Sequence, residues 1–256
     1  GPPLGSHANS ECQIDSLGQS WAVISLQGDP QRAERAMQSV WSRLVRPDHR
    51  ITLLFDPPFD KAKPNTGYIA GYLPGVRENG GQYTHAATWV IKATAMLGHG
   101  QRAAELAALL NPIRAADSRD HADRYATEPY VIAADVYNTP GHEGRGGWTW
   151  YTGSASWFYR VILEDILGLT VHGGSATFNP CIPASWSGFE VTLRVGQSVY
   201  EFRIENSGVE RGVTSVLLDG KVAPGGRVAL HDDGKSHRVD VRMGRARPLP
   251  AAASPG

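Results

Sequence analysis

Residues 189–205 read FEVTLRVGQSVYEFRIE, and this stretch decides how the chain is divided. Phe189, Val191, Leu193 and Val195 alternate with Glu190, Thr192 and Arg194; Gly196-Gln197-Ser198 turns; then Tyr200, Phe202 and Ile204 alternate with Glu201, Arg203 and Glu205. A period of two with one apolar face predicts a half-buried β-hairpin. Downstream, strands are expected at Val213–Leu218, closed by Asp219-Gly220, at Arg227–His231, closed by Asp232-Asp233-Gly234, and at Arg238–Met243. An antiparallel β-sandwich fits these elements best.

Upstream of Gly168 the period is helical. An apolar segment around Trp21, Ala22 and Ile24 stops near Gly28. Asp29-Pro30 then supplies an N-cap and first residue for a helix carrying Ala33, Ala36, Met37, Val40, Trp41 and Leu44 at helical spacing. Thr84–Leu97 and Gln101–Leu110 predict an antiparallel helix pair broken at Gly98-His99-Gly100, and Glu128–Tyr137 and Ser154–Leu167 predict two further helices. The expected organisation is a helical portion over 1–168, a β-sheet domain over 169–244 and a disordered tail over 245–256. Helical hairpins joined by long Gly-, Pro- and aromatic-rich loops suggest helices packed in a ring with the loops gathered at one end.

The chain has 256 residues, 41% of them hydrophobic, enough to bury a core. Twenty-five basic residues balance 25 acidic ones, which leaves no global field for nucleic acid or an anionic membrane. No apolar run approaches the roughly 20 residues that cross a bilayer. Cys12 and Cys181 are the only cysteines and no Cys/His cluster has metal-ligand spacing, so neither a zinc site nor a disulfide framework is expected. The chain begins at Gly1 without a Met and reads as a piece of something longer.

Four places carry side chains suited to chemistry. Pro74–His85 sets Arg77, Glu78, Asn79, Gln82 and His85 on a glycine-flexed loop leading into a helix, with His85 in its first turn, where free N–H groups favour an anion. Gly144–Ser154 carries Trp148, Tyr151 and a Thr152-Gly153 helix start that reads equally as an anion site and as a plain cap. Glu128 opens an expected helix, where it complements the helix dipole or serves as a catalytic carboxylate. Asp15 and Gln19 stand at a helix start, able to reach a sugar hydroxyl or simply to cap. Two helix starts bearing imidazole and hydroxyl groups suggest a single phosphate held between them.

The runs Asp15-Ser16 with Gln19 to Ser25, Gly71-Tyr72 through Trp89, Glu128-Pro129-Tyr130-Val131, Trp148 through Trp157 and Asn179-Pro180-Cys181-Ile182-Pro183 resemble glycoside hydrolase family 94. Gly67-Tyr68-Ile69, Gln82-Tyr83-Thr84-His85 and Gly146-Gly147-Trp148-Thr149-Trp150-Tyr151 are most similar to the C-terminal region of its bacterial cyclic β-1,2-glucan synthases. The resemblance spans roughly Gly1 to Gly244. It implies a mainly α plus β chain: the C-terminal part of an (α/α)6 barrel followed by an antiparallel β-sandwich domain.

It further implies inverting phosphorolysis, in which inorganic phosphate attacks the anomeric carbon of a terminal glucose while a carboxylic acid protonates the departing oxygen. His85, Thr152 and Gly153 match the family's phosphate-binding positions, and Arg77 falls where related disaccharide phosphorylases carry a Lys that contacts the leaving sugar. With Arg77, the residues Glu78, Gln82, Glu128, Trp148 and Tyr151 make up the expected substrate-binding set. No cofactor and no metal are implied. The partners implied are phosphate, a β-glucan oligosaccharide and the remainder of a parent polypeptide on the cytoplasmic side of the bacterial inner membrane.

The family's general acid is an Asp in a Trp-Asn-Asp type motif preceding this region, and that motif is absent here. The chain alone is therefore expected to be inactive. Two other readings stand beside this one: an inverting β-glucan hydrolase using Glu78 and Glu128, which would need them about 6.5–9.5 Å apart, and a non-catalytic carbohydrate-binding module built on the aromatics.

Overall fold

The computed structural model describes residues 5–61, 66–150 and 152–245. Most of the tail expected over 245–256, and Tyr151, lie outside the described residues. The chain combines helices and several small sheets, α plus β, in two compact units, Gly1–Ile162 and Leu163–Gly256.

In the first unit, strand β1 (Ile14–Asp15) leads into helix α1 (Ser16–Ile24). The Asp15 carboxylate caps α1, accepting from the N–H groups of Leu17 at 2.6 Å and Gly18 at 3.4 Å. Helix α2 (Pro30–Arg43) starts as its sequence dictates: Asp29 accepts from the Arg32 N–H at 2.8 Å and Pro30, lacking a donor, takes the first helical position. Three further strands follow, β2 (Val45–Arg46), β3 (Ile51–Thr52) and β4 (Phe55–Asp56); β2 pairs with β3 and β1 with β4. Strand β5 (Gln82–Tyr83) runs into α3 (Thr84–Met96), which a short turn joins to α4 (Gly100–Leu110).

Helix α3 packs against α1 and α4 and is the most enclosed of the helices, with Val90, Ile91 and Ala93 at 0% exposure. Two short helices that the sequence did not signal, α5 (Pro112–Ala115) and α6 (Arg119–Tyr125), are capped by Asn111 and Ser118. Helix α7 (Thr152–Arg160) runs on into a π-helical turn, Val161–Ile166, and also packs on α3.

The helix expected over Glu128–Tyr137 is not formed. Pro129 follows Glu128 in a turn, and the chain then extends into strand β6 (Asp135–Val136), which pairs with β5. Val131, Ala133, Ala134 and Val136 are all buried. A short apolar run enclosed on both faces has the same pattern whether helical or extended, and here pairing to neighbouring backbone decides.

In the second unit, β7 (Leu169–His172) and β8 (Ser175–Phe178) form a hairpin, extended by β13 (Val228–Ala229). The larger sheet contains β9 (Gly188–Val195), β10 (Ser198–Asn206), β11 (Val213–Leu218), β12 (Lys221–Val222) and β14 (Ser236–Met243), in the order β12-β11-β14-β10-β9. Ser198, Tyr200, Phe202 and Ile204 are buried along β10 while Glu201, Arg203 and Glu205 face solvent, as the period of two requires.

The sheet is not wholly antiparallel. β14 inserts between β10 and β11 and runs parallel to β10 from Val199↔Ser236 to Asn206↔Met243. After the β9–β10 hairpin the chain crosses to form β11, leaving a slot that the returning strand fills in the direction of β10. The Phe178 ring of the smaller sheet lies 4.8 Å from that of Phe202 in the larger. Cys12 and Cys181 are both buried free thiols.

Candidate functional site

Two of the sequence motifs are laced together by backbone. Gln82 pairs with Val136 and Tyr83 with Asp135, and the Thr84 N–H continues the ladder to the Ala134 carbonyl at 2.9 Å. On the other side of this strand, Ala134 N–H donates to the Trp148 carbonyl (2.6 Å), Gly147 N–H to Asp135 (2.8 Å) and Tyr137 N–H to Arg145 (2.8 Å). Asn138 N–H reaches the Gly75 carbonyl at 2.7 Å, so loop 74–83 and loop 144–150 share one central strand. Gly75 has φ +83°, and a Cβ there would meet Asn138 backbone at 2.6 Å.

Arg77 sits on this lattice with φ +51°. Its guanidinium lies 5.3 Å from the ring centroid of Tyr72 and 5.4 Å from that of Trp148, a cation held between two aromatic faces. Arg77 Nε is 3.6 Å from Glu78 Oε2, and both side chains are about four-fifths enclosed. Close by is a carboxylate that the sequence reading missed. Asp135 is 1% exposed; its Oδ1 accepts the Trp148 N–H at 3.0 Å, and its Oδ2 is buried without a hydrogen-bond partner. Burial pushes the Asp135 carboxyl pKa up, the Trp148 N–H and Arg77 pull it down, and Glu78 adds to the rise. A signal for it exists: it is the one charged residue in the apolar run 131–136.

The second cluster forms where two helices begin. His85 lies in the first turn of α3, and Gly153 lies in the first turn of α7. A Cβ at Gly153 would stand 3.8 Å from His85 Nδ1 and 3.9 Å from its Cε1, so the α7 start passes directly beside the imidazole. Trp89 and Trp157 wall the ring, with centroids 4.9 and 5.9 Å from it, and Trp21 stacks edge-on to Trp89 at 5.5 Å. Burial lowers the His85 pKa, which keeps the ring neutral at pH 7, able to donate one N–H and accept at the other nitrogen. Thr152 opens α7; of its side chain, and of Tyr151, the described residues give nothing.

The remaining candidates have other employment. Gln82 is 2% exposed; its Oε1 accepts from Thr52 N–H at 2.8 Å and its Nε2 donates to Thr84 Oγ1 at 3.2 Å, which ties β3 to the α3 start and leaves neither end open to a sugar. Glu128 is half-buried, and its carboxyl pKa is lowered by its own backbone N–H and by Trp150, whose indole N–H donates to Oε1 at 3.0 Å. An ionised carboxylate is the opposite of what a general acid needs. Trp150 has φ +63° and pairs edge-on with Tyr130 at 6.4 Å, while Trp148 offers a 56% exposed indole beside Arg77. Among the described residues no group of three or more His, Cys, Asp or Glu side chains is placed to hold a metal ion, and no helix is long and apolar enough to cross a membrane.

Over 202 residues, 79% of this chain, the sequence is 48% identical to the cyclic beta-(1,2)-glucan synthase NdvB of Rhizobium meliloti, covering 7% of that protein. It is 31% identical over 95% of its length both to solabiose phosphorylase of Paenibacillus borealis and to N,N'-diacetylchitobiose phosphorylase of Vibrio furnissii. The chain spans 31% and 30% of those two enzymes. The sequence profile of the glycosyl hydrolase 94 superfamily catalytic domain matches residues 1–168, and with these relatives it establishes that the chain belongs to that superfamily.

Proposed function

We propose that this chain is the C-terminal part of a β-glucan phosphorylase module that cleaves β-1,2-glucan with inversion, releasing glucose 1-phosphate. The observation that carries the reading is the His85 imidazole against the first turn of α7, with its own helix start behind it. Two helix N-termini and a ring N–H supply donors that hold and partly neutralise a phosphate nucleophile in line with the anomeric carbon. Thr152 and Gly153 complete that anion site. Arg77 and Glu78, flanked by Trp148, contact the leaving sugar; Gln82 acts as scaffold. No cofactor takes part, and inorganic phosphate is the co-substrate.

The general acid comes from a preceding segment of the parent polypeptide. Without it the leaving oxygen departs as an alkoxide and the reaction loses on the order of 10²–10⁴-fold in rate, so this chain alone is inactive. In the parent, the first unit is the closing share of an (α/α)6 barrel, supported by the α3–α4 hairpin, and the second is a sandwich, supported by the Phe178–Phe202 contact. The module works on the cytoplasmic side of the bacterial inner membrane and sets glucan chain length. A binding role without chemistry is favoured by one observation, the exposed aromatics Tyr130, Trp148 and Trp150.

The test is phosphate-dependent release of glucose 1-phosphate from linear β-1,2-glucan by the full-length parent and by this chain, with His85→Ala and Thr152→Ala in the parent. Activity in the parent that collapses in both variants, with a silent chain, is expected. A parent that binds glucan and forms no sugar phosphate refutes the phosphorylase reading in favour of binding.

A further inference from the structure

Asp135 has no part in the chemistry above, yet the fold makes particular room for it. A Cβ on Gly147 would stand 2.3 Å from Oδ2 and 2.5 Å from Oδ1, so the facing strand is bare where the carboxylate lies. Its neighbours Ala133, Ala134 and Val136 are apolar and buried, and an apolar residue would fit this run with less desolvation. One oxygen is nonetheless bonded to Trp148 N–H and the other is shielded with no hydrogen-bond partner. The charges within reach are Arg77 and Glu78.

Trp148 links these facts. Its backbone N–H holds Asp135, and its ring is one of the two aromatic rings that the Arg77 guanidinium lies over. Asp135 therefore acts on Arg77 twice, by fixing the backbone that carries one aromatic neighbour and by the attraction between its buried carboxylate and the guanidinium, which a low dielectric strengthens.

We propose that Asp135 is a positioning residue for sugar recognition, holding Arg77 against Tyr72 and Trp148 so that the guanidinium meets a glucosyl hydroxyl in one orientation. This rests on reading Arg77 as a contact to the leaving sugar. The role is indirect, through Trp148 and Arg77, because Oδ2 is closed to solvent.

Two variants in the full-length parent test it. Asp135→Asn keeps shape and removes charge; Gly147→Ala keeps the charge and pushes the carboxylate away. Both are expected to raise KM for linear β-1,2-glucan by about 10- to 100-fold, with kcat changed far less and KM for phosphate unmoved, as for a recognition group displaced by a fraction of an ångström. Unchanged glucan KM in both overturns the proposal. So does a parallel loss of glucan and phosphate KM with a lowered melting temperature, the signature of a scaffold residue. Glucan affinity read by tryptophan fluorescence keeps the two readings apart. A wild-type parent that binds glucan and makes no sugar phosphate refutes phosphorolysis, while weaker binding by Asp135→Asn still upholds the positioning role.

Discussion

Gly75→Ala is the substitution that most directly probes how the two loops are joined. Gly75 has φ +83°, and the added methyl would lie 2.6 Å from the Asn138 carbonyl carbon and oxygen and from Thr139 N. Ordinary contact is about 3.5 Å, so backbone must move on one side by nearly an ångström. The movement breaks the 2.7 Å bond from Asn138 N–H to the Gly75 carbonyl. An L side chain in the left-handed region costs about 1–2 kcal/mol, and the hydrogen bond about 0.5–1.5 kcal/mol. Together these destabilise the closed loop by about 1.5–3.5 kcal/mol, a drop of about 10- to 400-fold in the protection of the Asn138 amide against hydrogen exchange. The assay is amide exchange by mass spectrometry on full-length wild type and variant, read on peptides spanning 134–140. Protection unchanged within about threefold would refute the claim that this contact clasps the loops.

Phe202→Ala, removing a 1% exposed ring that meets Phe178, is expected to destabilise the second unit by about 3–5 kcal/mol, measured by denaturant unfolding. His237 bonds Asp219 at 2.8 Å and Asp233 at 3.1 Å; these bonds raise its pKa, and both aspartates are held below the usual carboxylate range. A raised imidazole stabilises fully below its ordinary value of about 6.5 and loses that contribution as pH climbs through the folded value; the lowered carboxylates contribute above about 3.9 and lose it as pH falls. The cluster therefore supports the fold most between about pH 4 and 6.5. Wild type is expected to lose Arg238 amide protection between pH 6 and 8 and His237→Gln to lose none over that interval; matching slopes would dismiss the cluster as a pH-sensitive contributor.

Local signals in the sequence survived into the structure where the elements themselves decide. The alternation at 189–205 became β9 and β10, Asp29-Pro30 opened α2, and the glycine at 98 separated α3 from α4. What the sequence concealed depends on partners far away. The apolar run at 131–136 extends because backbone at 82–84 and 145–148 pairs with it, and the parallel neighbour of β10 arrives more than thirty residues later. The candidate site shows the same division. His85 and Gly153 could be named from their helix starts, whereas Gln82 looked available for sugar until Thr52 and Thr84 were seen to occupy its amide. Asp135 escaped because nothing in a lone buried carboxylate announces which cation it faces.

The β5–β6 ladder sets a length. Arg77 and His85 are eight residues apart on one chain, and Gln82 and Tyr83 between them are locked in register opposite Val136 and Asp135. In the phosphorolysis proposed above, that lock makes the segment a ruler between the group that reads the departing sugar and the group that holds the incoming phosphate. One inserted residue would either break both pairings or turn every side chain after it to the opposite face. New sugars are thus open to this site by exchanging side chains around Arg77, while changes in loop length between the two motifs are closed to it.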